Sequence, residues 1–259
     1  MGIITLTTDF GTDDWFVGTM KGVIASKALA AKVIDLSHGI APGDIRAGAF
    51  ALMAGYRYFP HQSVHVAVVD PGVGSERSAI VVDTKDYFFI GPDNGVLSWA
   101  LRNEEVREIW RLENPAYFLD DVSRTFHGRD VFAPIAAAVS EGMALSNLGS
   151  LADNFVKLSW PDVERIENEV RGEILYIDHF GNALTNIAAS DVRDLPMAEL
   201  KICLNGEAVA AVGECYSTVD SGKPVGIFGS SRFLELAVKE GSAAQTFLLK
   251  TGTKISLRA

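Results

Sequence analysis

Cysteine is almost missing from this chain: Cys203 and Cys215 are the only two in 259 residues, they form no CxxC pair, and no histidine lies close to either in sequence. Two cysteines so placed predict two reduced, buried thiols in a reducing compartment, with a disulfide or a metal site as the lesser alternative. Long apolar runs are also missing, so no segment is read as a bilayer span. The first ten residues, MGIITLTTDF, lack a basic n-region and a small-residue cleavage site, so they are not expected to be a secretory signal. Leu6 stands where the myristoylation pattern needs Ser or Thr. The expectation is a soluble, cytoplasmic protein with no membrane partner. Positive charge is in short supply: 23 Lys and Arg against 33 Asp and Glu give a formal net charge of −10. Such a chain repels phosphate backbones, so nucleic acid is not expected as a partner. Repeats of fixed period and low-complexity tracts are absent.

What is present is an ordinary globular composition, 48% hydrophobic and 22% charged. The length allows one large domain or two modest ones. In the first half, strand and helix signals alternate. Ile3 to Thr7, Val33 to Leu36, Val64 to Val69, Ala79 to Val82 and Tyr87 to Ile90 read as strands. Trp15 to Ala31, Ala41 to Tyr58, Val96 to Arg102 and Val131 to Ser140 read as helical. Near-continuous apolar strands alternating with helices predict an α/β domain whose sheet is mostly parallel and covered on both faces. Such folds bind ligands in the loops after strand C-terminal ends. Asp9 and Asp70 follow strands and so draw attention.

The pattern changes at 157–170, where KLSWP and a charged run read as a linker. Beyond it strands dominate: Glu173 to Ile177, Glu199 to Leu204, Glu207 to Val212, Lys223 to Phe228 and Thr253 to Leu257, with Asn205-Gly206 as a hairpin turn. Ser231 to Val238 reads as helix or irregular turn. The expected division is an N-terminal α/β domain over 1–158 and a smaller β-barrel-like or sandwich domain over 170–259.

Five stretches hold candidate chemistry, and each has a plain structural reading beside it. In TDFGTDD, Asp13 and Asp14 are read as first-turn acids that complement a helix dipole. Asp9, after a strand and before Gly11, suits a vicinal diol, as the acidic residue of a dinucleotide fold does. Asp70-Pro-Gly-Val-Gly-Ser-Glu-Arg77 is glycine-rich but is not G-x-G-x-x-G, and no Lys-Ser/Thr follows, so its phosphate signal is weak. Asp70 and Arg77 read equally well as an ion pair that shapes the loop. His127, in FHGRD, reads alone as a helix-start residue. Asp178, Phe180 and Asn182, in IDHFGN, suit a heterocycle by stacking and edge hydrogen bonds, or simply make a turn. GSSRF, with Ser231 and Arg232, is a turn by default.

Taken together, TDFGT-DD, VVDPGVGSER, GPDNG, TFHGRD, IDHFGN-LTNI and GSSRFLELAV resemble the S-adenosylmethionine hydroxide adenosyltransferases, over essentially the whole chain. That family is related to the bacterial fluorinase and chlorinase. The resemblance implies an N-terminal α/β domain, a C-terminal β-barrel, and a homotrimer with each site between the N-terminal domain of one subunit and the C-terminal domain of the next. It implies hydrolysis of S-adenosylmethionine at C5′ to adenosine and methionine, with no cofactor and no metal.

By the same resemblance, Asp9 holds the ribose hydroxyls, and Asp70, Arg77 and His127 are the water-handling set. Asp178, Phe180 and Asn182 match positions that hold the methionine amine and the adenine. Ser231 and Arg232 match positions near the methionine carboxylate. Phe126 matches a residue lining the reaction centre, and Asn94 of the GPDNG turn is counted with the substrate-binding positions. Halide-using relatives carry an aromatic residue at the Asp70 position, and the fluorinase a serine at the Gly128 position; this sequence departs from both. The sulfonium leaves without acid help, so the enzyme's task is to desolvate, aim and deprotonate a water. Asp70 and His127 both remain candidates for the base. Two rival readings stay open: a metal-dependent hydrolase with Asp9, Asp70 and His127 as ligands, and a nucleoside sensor without turnover.

Overall fold

In the computed structural model, which describes residues 2–259, the first unit begins with β1 (Ile3–Thr8) and continues through α1 (Phe16–Lys27), β2 (Lys32–Ser37), α2 (Ile45–Gly55), β3 (Val64–Val68), β4 (Ala79–Thr84), β5 (Phe88–Pro92), α3 (Ser98–Leu101), β6 (Val106–Arg111) and α4 (Ala133–Ser140). This unit ends at Leu158. Its strands form a six-stranded sheet in the order β2-β1-β3-β5-β4-β6. The β1–β2, β1–β3 and β3–β5 pairings are parallel, whereas β4 runs antiparallel to both β5 and β6. The parallel strands run from the β2 edge to β5, and antiparallel β4 and β6 complete the other edge.

Burial explains the apolar character of the central strands. All five residues of β3 are buried, because helices cover both faces. Ile4, Leu6, Val64, Val66 and Val68 point to one face and share a core with α1 and α4. Val17, Met20 and Ile24 form the buried stripe of α1, and the small side chains of α4, Ala133, Ala136 and Ala137, let it pack close. Each large apolar side chain so buried contributes about 1.5–3 kcal/mol. On the other face lies α2, capped by Asp44, whose carboxylate accepts from the Ala47 N–H at 2.9 Å. A Cβ on Gly48 of this helix would come within 2.8 Å of the Val69 side chain. That glycine allows α2 to press on the end of β3, directly before Asp70.

The second unit, Ser159–Ala259, contains β7 (Glu164–Ile166), β8 (Glu169–Ile177), β9 (Ala183–Ala188), β10 (Lys201–Leu204), β11 (Glu207–Ala211), β12 (Pro224–Phe228), β13 (Phe233–Val238), α5 (Ala243–Thr246) and β14 (Lys254–Arg258). The sheet order is β11-β10-β14-β8-β9-β13-β12, with β7 paired to β8. A parallel bridge between Val212 and Gly226 joins its two ends, so the antiparallel sheet nearly closes as a barrel. Among the described residues, no helix is long and apolar enough to cross a membrane.

Several elements differ from the sequence expectation. Asp13 and Asp14 lie in an exposed bend before α1, whose first turn holds no acid. The helix expected over 41–58 is α2 followed by a short 3-10 turn at Tyr56–Tyr58. The charged stretch read as linker contains β7 and the start of β8, edge pairing that tolerates charge because one face meets water. Ser231 to Val238 is mostly strand β13; its alternation was hidden because the inward Glu235 is buried. Strands β6 and β9 were not expected. Cys203 is buried but Cys215 is exposed, and both are free thiols.

Candidate active site

The loop after β1 presents Asp9. Gly11 has a φ of +68°, the left-handed turn that lets the chain double back there. Its N–H donates to the His38 carbonyl at 2.9 Å. The Asp9 carboxylate accepts from the Gly43 N–H at 2.7 Å through Oδ2. An ionised carboxylate has about four acceptor positions, so most of its capacity is left for a ligand.

The loop after β3 presents Asp70 and returns through a tight glycine turn to Arg77. Gly74 has a φ of +77°, and a Cβ there would stand 2.3 Å from the Arg124 carbonyl oxygen. Only glycine lets this loop lie on the backbone of the segment that leads to His127. The Arg77 guanidinium clasps the Asp70 carboxylate: Nε donates to Oδ1 at 3.1 Å and to Oδ2 at 2.9 Å, and Nη2 also reaches Oδ2. The same Nη2 lies 2.8 Å from His127 Nδ1. The guanidinium carbon sits 5.6 Å from the centre of the Phe132 ring. Asp70 and Arg77 are both largely buried, their side chains 4% and 12% exposed. The ion pair read as one possibility from the sequence thus exists, and His127 is joined to it.

His127 opens a single π-helical turn, Gly128–Phe132, that runs into α4. Burial lowers its pKa from the usual histidine value, and the adjacent Arg77 charge lowers it further. The segment before it is anchored by Asp130, which is fully buried and accepts from the Ser123 N–H at 2.9 Å and from Arg129 Nε at 2.6 Å.

Asp9, Asp70, Phe126 and His127 line one cavity of about 310 Å³ together with Phe10 and Phe16, while Arg77 is not among its lining residues. The three phenylalanines form an aromatic wall with ring centres 5.1–6.0 Å apart. Gly128 makes that wall possible, since a Cβ there would lie 3.2 Å from Met20 Sδ and from carbons of Phe10 and Phe126. Phe10 and Phe16 were not singled out in the sequence. Asn94 takes a different place. Its Nδ2 donates to the Val69 carbonyl at 2.8 Å and its Oδ1 accepts from the Val96 N–H at 3.1 Å. Its amide thus braces the strand end before Asp70, and it is not among the cavity-lining residues.

In the second unit, Asp178 organises a turn. Its carboxylate accepts from the N–H groups of Phe180 and Asn182 and from Asn182 Nδ2, at 2.8–2.9 Å. Phe180 stands at the apex, 73% exposed, while Asn182 is buried. Ser231 and Arg232 lie in the β12–β13 turn, where Arg232 has a φ of +67° and the Ser231 Oγ is buried without a hydrogen-bond partner. Two residues that the sequence did not single out adjoin Asp178. Glu235 is buried, accepts from the Tyr216 hydroxyl, and is pushed to a higher pKa first by burial and then by the Asp178 charge.

A wider groove of about 630 Å³ lies on the barrel, and several of its charged groups are paired with one another, as in Lys254–Glu173 and Arg258–Glu169. Among the described residues, no three His, Cys, Asp or Glu side chains are grouped to hold a metal ion.

The model of the SAM hydroxide adenosyltransferase N-terminal domain matches residues 4–149, and that of the corresponding C-terminal domain matches residues 172–256. The chain is 40% identical over 197 residues to the (R)-S-adenosyl-L-methionine hydrolase of Methanocaldococcus jannaschii, covering 74% of this chain and 69% of that one. It is 37% identical to the protein of the same name from Salinispora arenicola, covering 99% and 97%. A crystal structure of an uncharacterized conserved protein from Thermotoga maritima superposes with a TM-score of 0.93 at 34% identity, covering 99% of this chain and 100% of the other.

Proposed function

Because this chain belongs to the SAM hydroxide adenosyltransferase family, we propose that it hydrolyses S-adenosylmethionine at C5′ and releases adenosine and methionine. The observation that carries the reading is the Asp70–Arg77–His127 chain of contacts, set beside Asp9 and an aromatic wall in one cavity.

Asp9 accepts hydrogen bonds from the two ribose hydroxyls and so fixes C5′. Phe126, with Phe10 and Phe16, keeps bulk water away from the reacting carbon. Arginine only donates hydrogen bonds, so the Nδ1 of His127 accepts from Arg77 and the imidazole keeps its hydrogen on Nε2. In that state His127 donates to the attacking water. Asp70 is then the base, the choice left open by the sequence. The water oxygen bonds to C5′, the C5′–S pair leaves with sulfur as a neutral thioether, and the water proton passes to Asp70. Arg77 stabilises hydroxide character as it develops. No carbonyl or phosphoryl group needs polarising, and the sulfonium departs unaided.

Asp178 and Asn182 are assigned to the methionine amine and the adenine, Phe180 to stacking, and Ser231 and Arg232 to the methionine carboxylate. Asn94 acts by bracing the loop of Asp70. The reading includes a homotrimer in the cytoplasm, which sedimentation and fractionation test. Incubation with S-adenosylmethionine followed by chromatography tests the reaction: adenosine and methionine in equal amounts support it, and S-adenosylhomocysteine as product contradicts it.

A further inference from the structure

Behind Asp9, outside the cavity, lies a buried polar chain that the reaction above does not use. Thr8 is fully buried and His38 is 6% exposed. The Thr8 Oγ1 is 2.8 Å from His38 Nδ1 and also accepts from the Phe10 N–H at 3.2 Å. Donation from the Thr8 hydroxyl to Nδ1 corresponds to the tautomer with the histidine hydrogen on Nε2. That nitrogen faces Asp35, whose Oδ1 is 3.0 Å away in an oblique contact. Lys21 Nζ donates to the other Asp35 oxygen at 2.6 Å. Burial raises the Asp35 pKa, but His38 and Lys21 outweigh it and hold the group below the usual aspartate value.

Two runs of donation thus meet at Asp35: the Phe10 amide donates to Thr8 and the Thr8 hydroxyl to His38 Nδ1 on one side, Lys21 donates to Asp35 on the other, and His38 Nε2 lies against Asp35 Oδ1 without hydrogen-bond geometry. The same histidine binds the loop a second time, because its carbonyl accepts from the Gly11 N–H at 2.9 Å. Asp9 lies between these two anchored points, Thr8 and Gly11, with Gly43 holding one carboxylate oxygen. Burying this many polar groups costs free energy unless each is matched. A plain apolar contact between β1 and the loop after β2 would hold the fold as well, but it would not fix the rotation of the Thr8–Phe10 peptides that aims the Asp9 carboxylate.

We propose that His38, acting through Thr8, is a positioning residue for Asp9 and sets the affinity for a ribose diol without taking part in the chemical step. The proposal rests on the ribose role of Asp9. Titration calorimetry with adenosine and with 2′-deoxyadenosine, alongside steady-state kinetics with S-adenosylmethionine, tests it in Thr8→Val, Thr8→Ser and His38→Leu proteins. Removing the hydroxyl or the imidazole is expected to weaken adenosine binding and raise KM by about tenfold, with kcat within about twofold of wild type. Binding of 2′-deoxyadenosine should change far less, so the preference for the intact diol shrinks. Thr8→Ser should recover most of what Thr8→Val loses. Should His38→Leu not fold, the isosteric Thr8→Val carries the test. Unchanged adenosine affinity, an equal loss for both nucleosides, or a fall in kcat at constant KM overturns the proposal. A wild type that binds both nucleosides equally overturns the ribose role of Asp9, and the proposal with it.

Discussion

The Nη2 of Arg77 lies 2.8 Å from Nδ1 of His127, and because a guanidinium has no acceptor, the imidazole must receive this bond through its lone pair. Protonating His127 would place two cations in contact and break the bond. Burial and the Arg77 charge both lower the histidine pKa, so the productive neutral form persists to a pH below about 6.5. The acid limb of kcat against pH should therefore fall below that value, and His127→Asn should remove it while reducing kcat. An acid limb centred above 6.5 that vanishes in the variant contradicts this account.

Binding and turnover should separate along the cavity. Asp70 belongs to the water-handling group, so Asp70→Ala is expected to lower kcat at least about a hundredfold while adenosine affinity stays within a few fold. Asp9→Ala should instead weaken adenosine by ten- to a hundredfold, since a diol loses its acceptor. Calorimetry with adenosine distinguishes the two, and an Asp9→Ala protein that binds like wild type removes the ribose assignment.

Gly128 lies under the aromatic wall, where a Cβ meets three neighbours at 3.2 Å. Gly128→Ser, which places the fluorinase residue at this position, should lower stability by about 1–3 kcal/mol through crowding of Phe10 and Phe126. It should not create halide transfer, because the Asp70 carboxylate still repels an anion. Thermal unfolding and product analysis in chloride and fluoride check both parts; a 5′-halonucleoside at a rate near that of adenosine contradicts the second.

Stability should carry the signature of a different histidine. His65 is fully buried on the α2 side of the sheet, bonded to Thr5 Oγ1 at 2.8 Å and ringed by Tyr56, Phe59, Tyr87 and Phe89. Burial lowers its pKa to about 3. The unfolded chain takes up this proton near pH 6.5, whereas the folded chain does so only near 3. Stability tied to His65 is fully present above pH 6.5 and is lost as pH falls towards 3, by about 1.4 kcal/mol per pH unit. Denaturant titrations of wild type and His65→Phe at pH 7, 6, 5 and 4 should show a shallower acid slope in the variant; identical slopes contradict the assignment.

The parts of the site that were legible in the sequence are those whose chemistry is tied to a strand end. Asp9 after β1, and Asp70 with its glycine turn after β3, follow from the logic of open α/β sheets. The joining of Arg77 to His127 bridges fifty positions along the chain, and no local pattern encodes it; only the family resemblance had grouped them. Asn94 could not be placed either, since nothing local indicates that its amide will be spent on the Val69 and Val96 backbone. Strand β6, VREIWR, hid for a related reason: it is an edge strand, and its exposed Arg107 and Glu108 mask the alternation. The β13 stretch misled because an inward glutamate, Glu235, broke the apolar pattern, and only the fold supplies its Tyr216 partner.

The central claim is that water attacks C5′, and turnover in heavy-oxygen water tests it most directly. Three carbons on the sulfonium are open to attack, and only C5′ is fixed by a diol held on Asp9. Mass spectrometry of the products should find the label in the 5′-hydroxyl of adenosine and none in methionine. Labelled methanol, released together with S-adenosylhomocysteine, would contradict it.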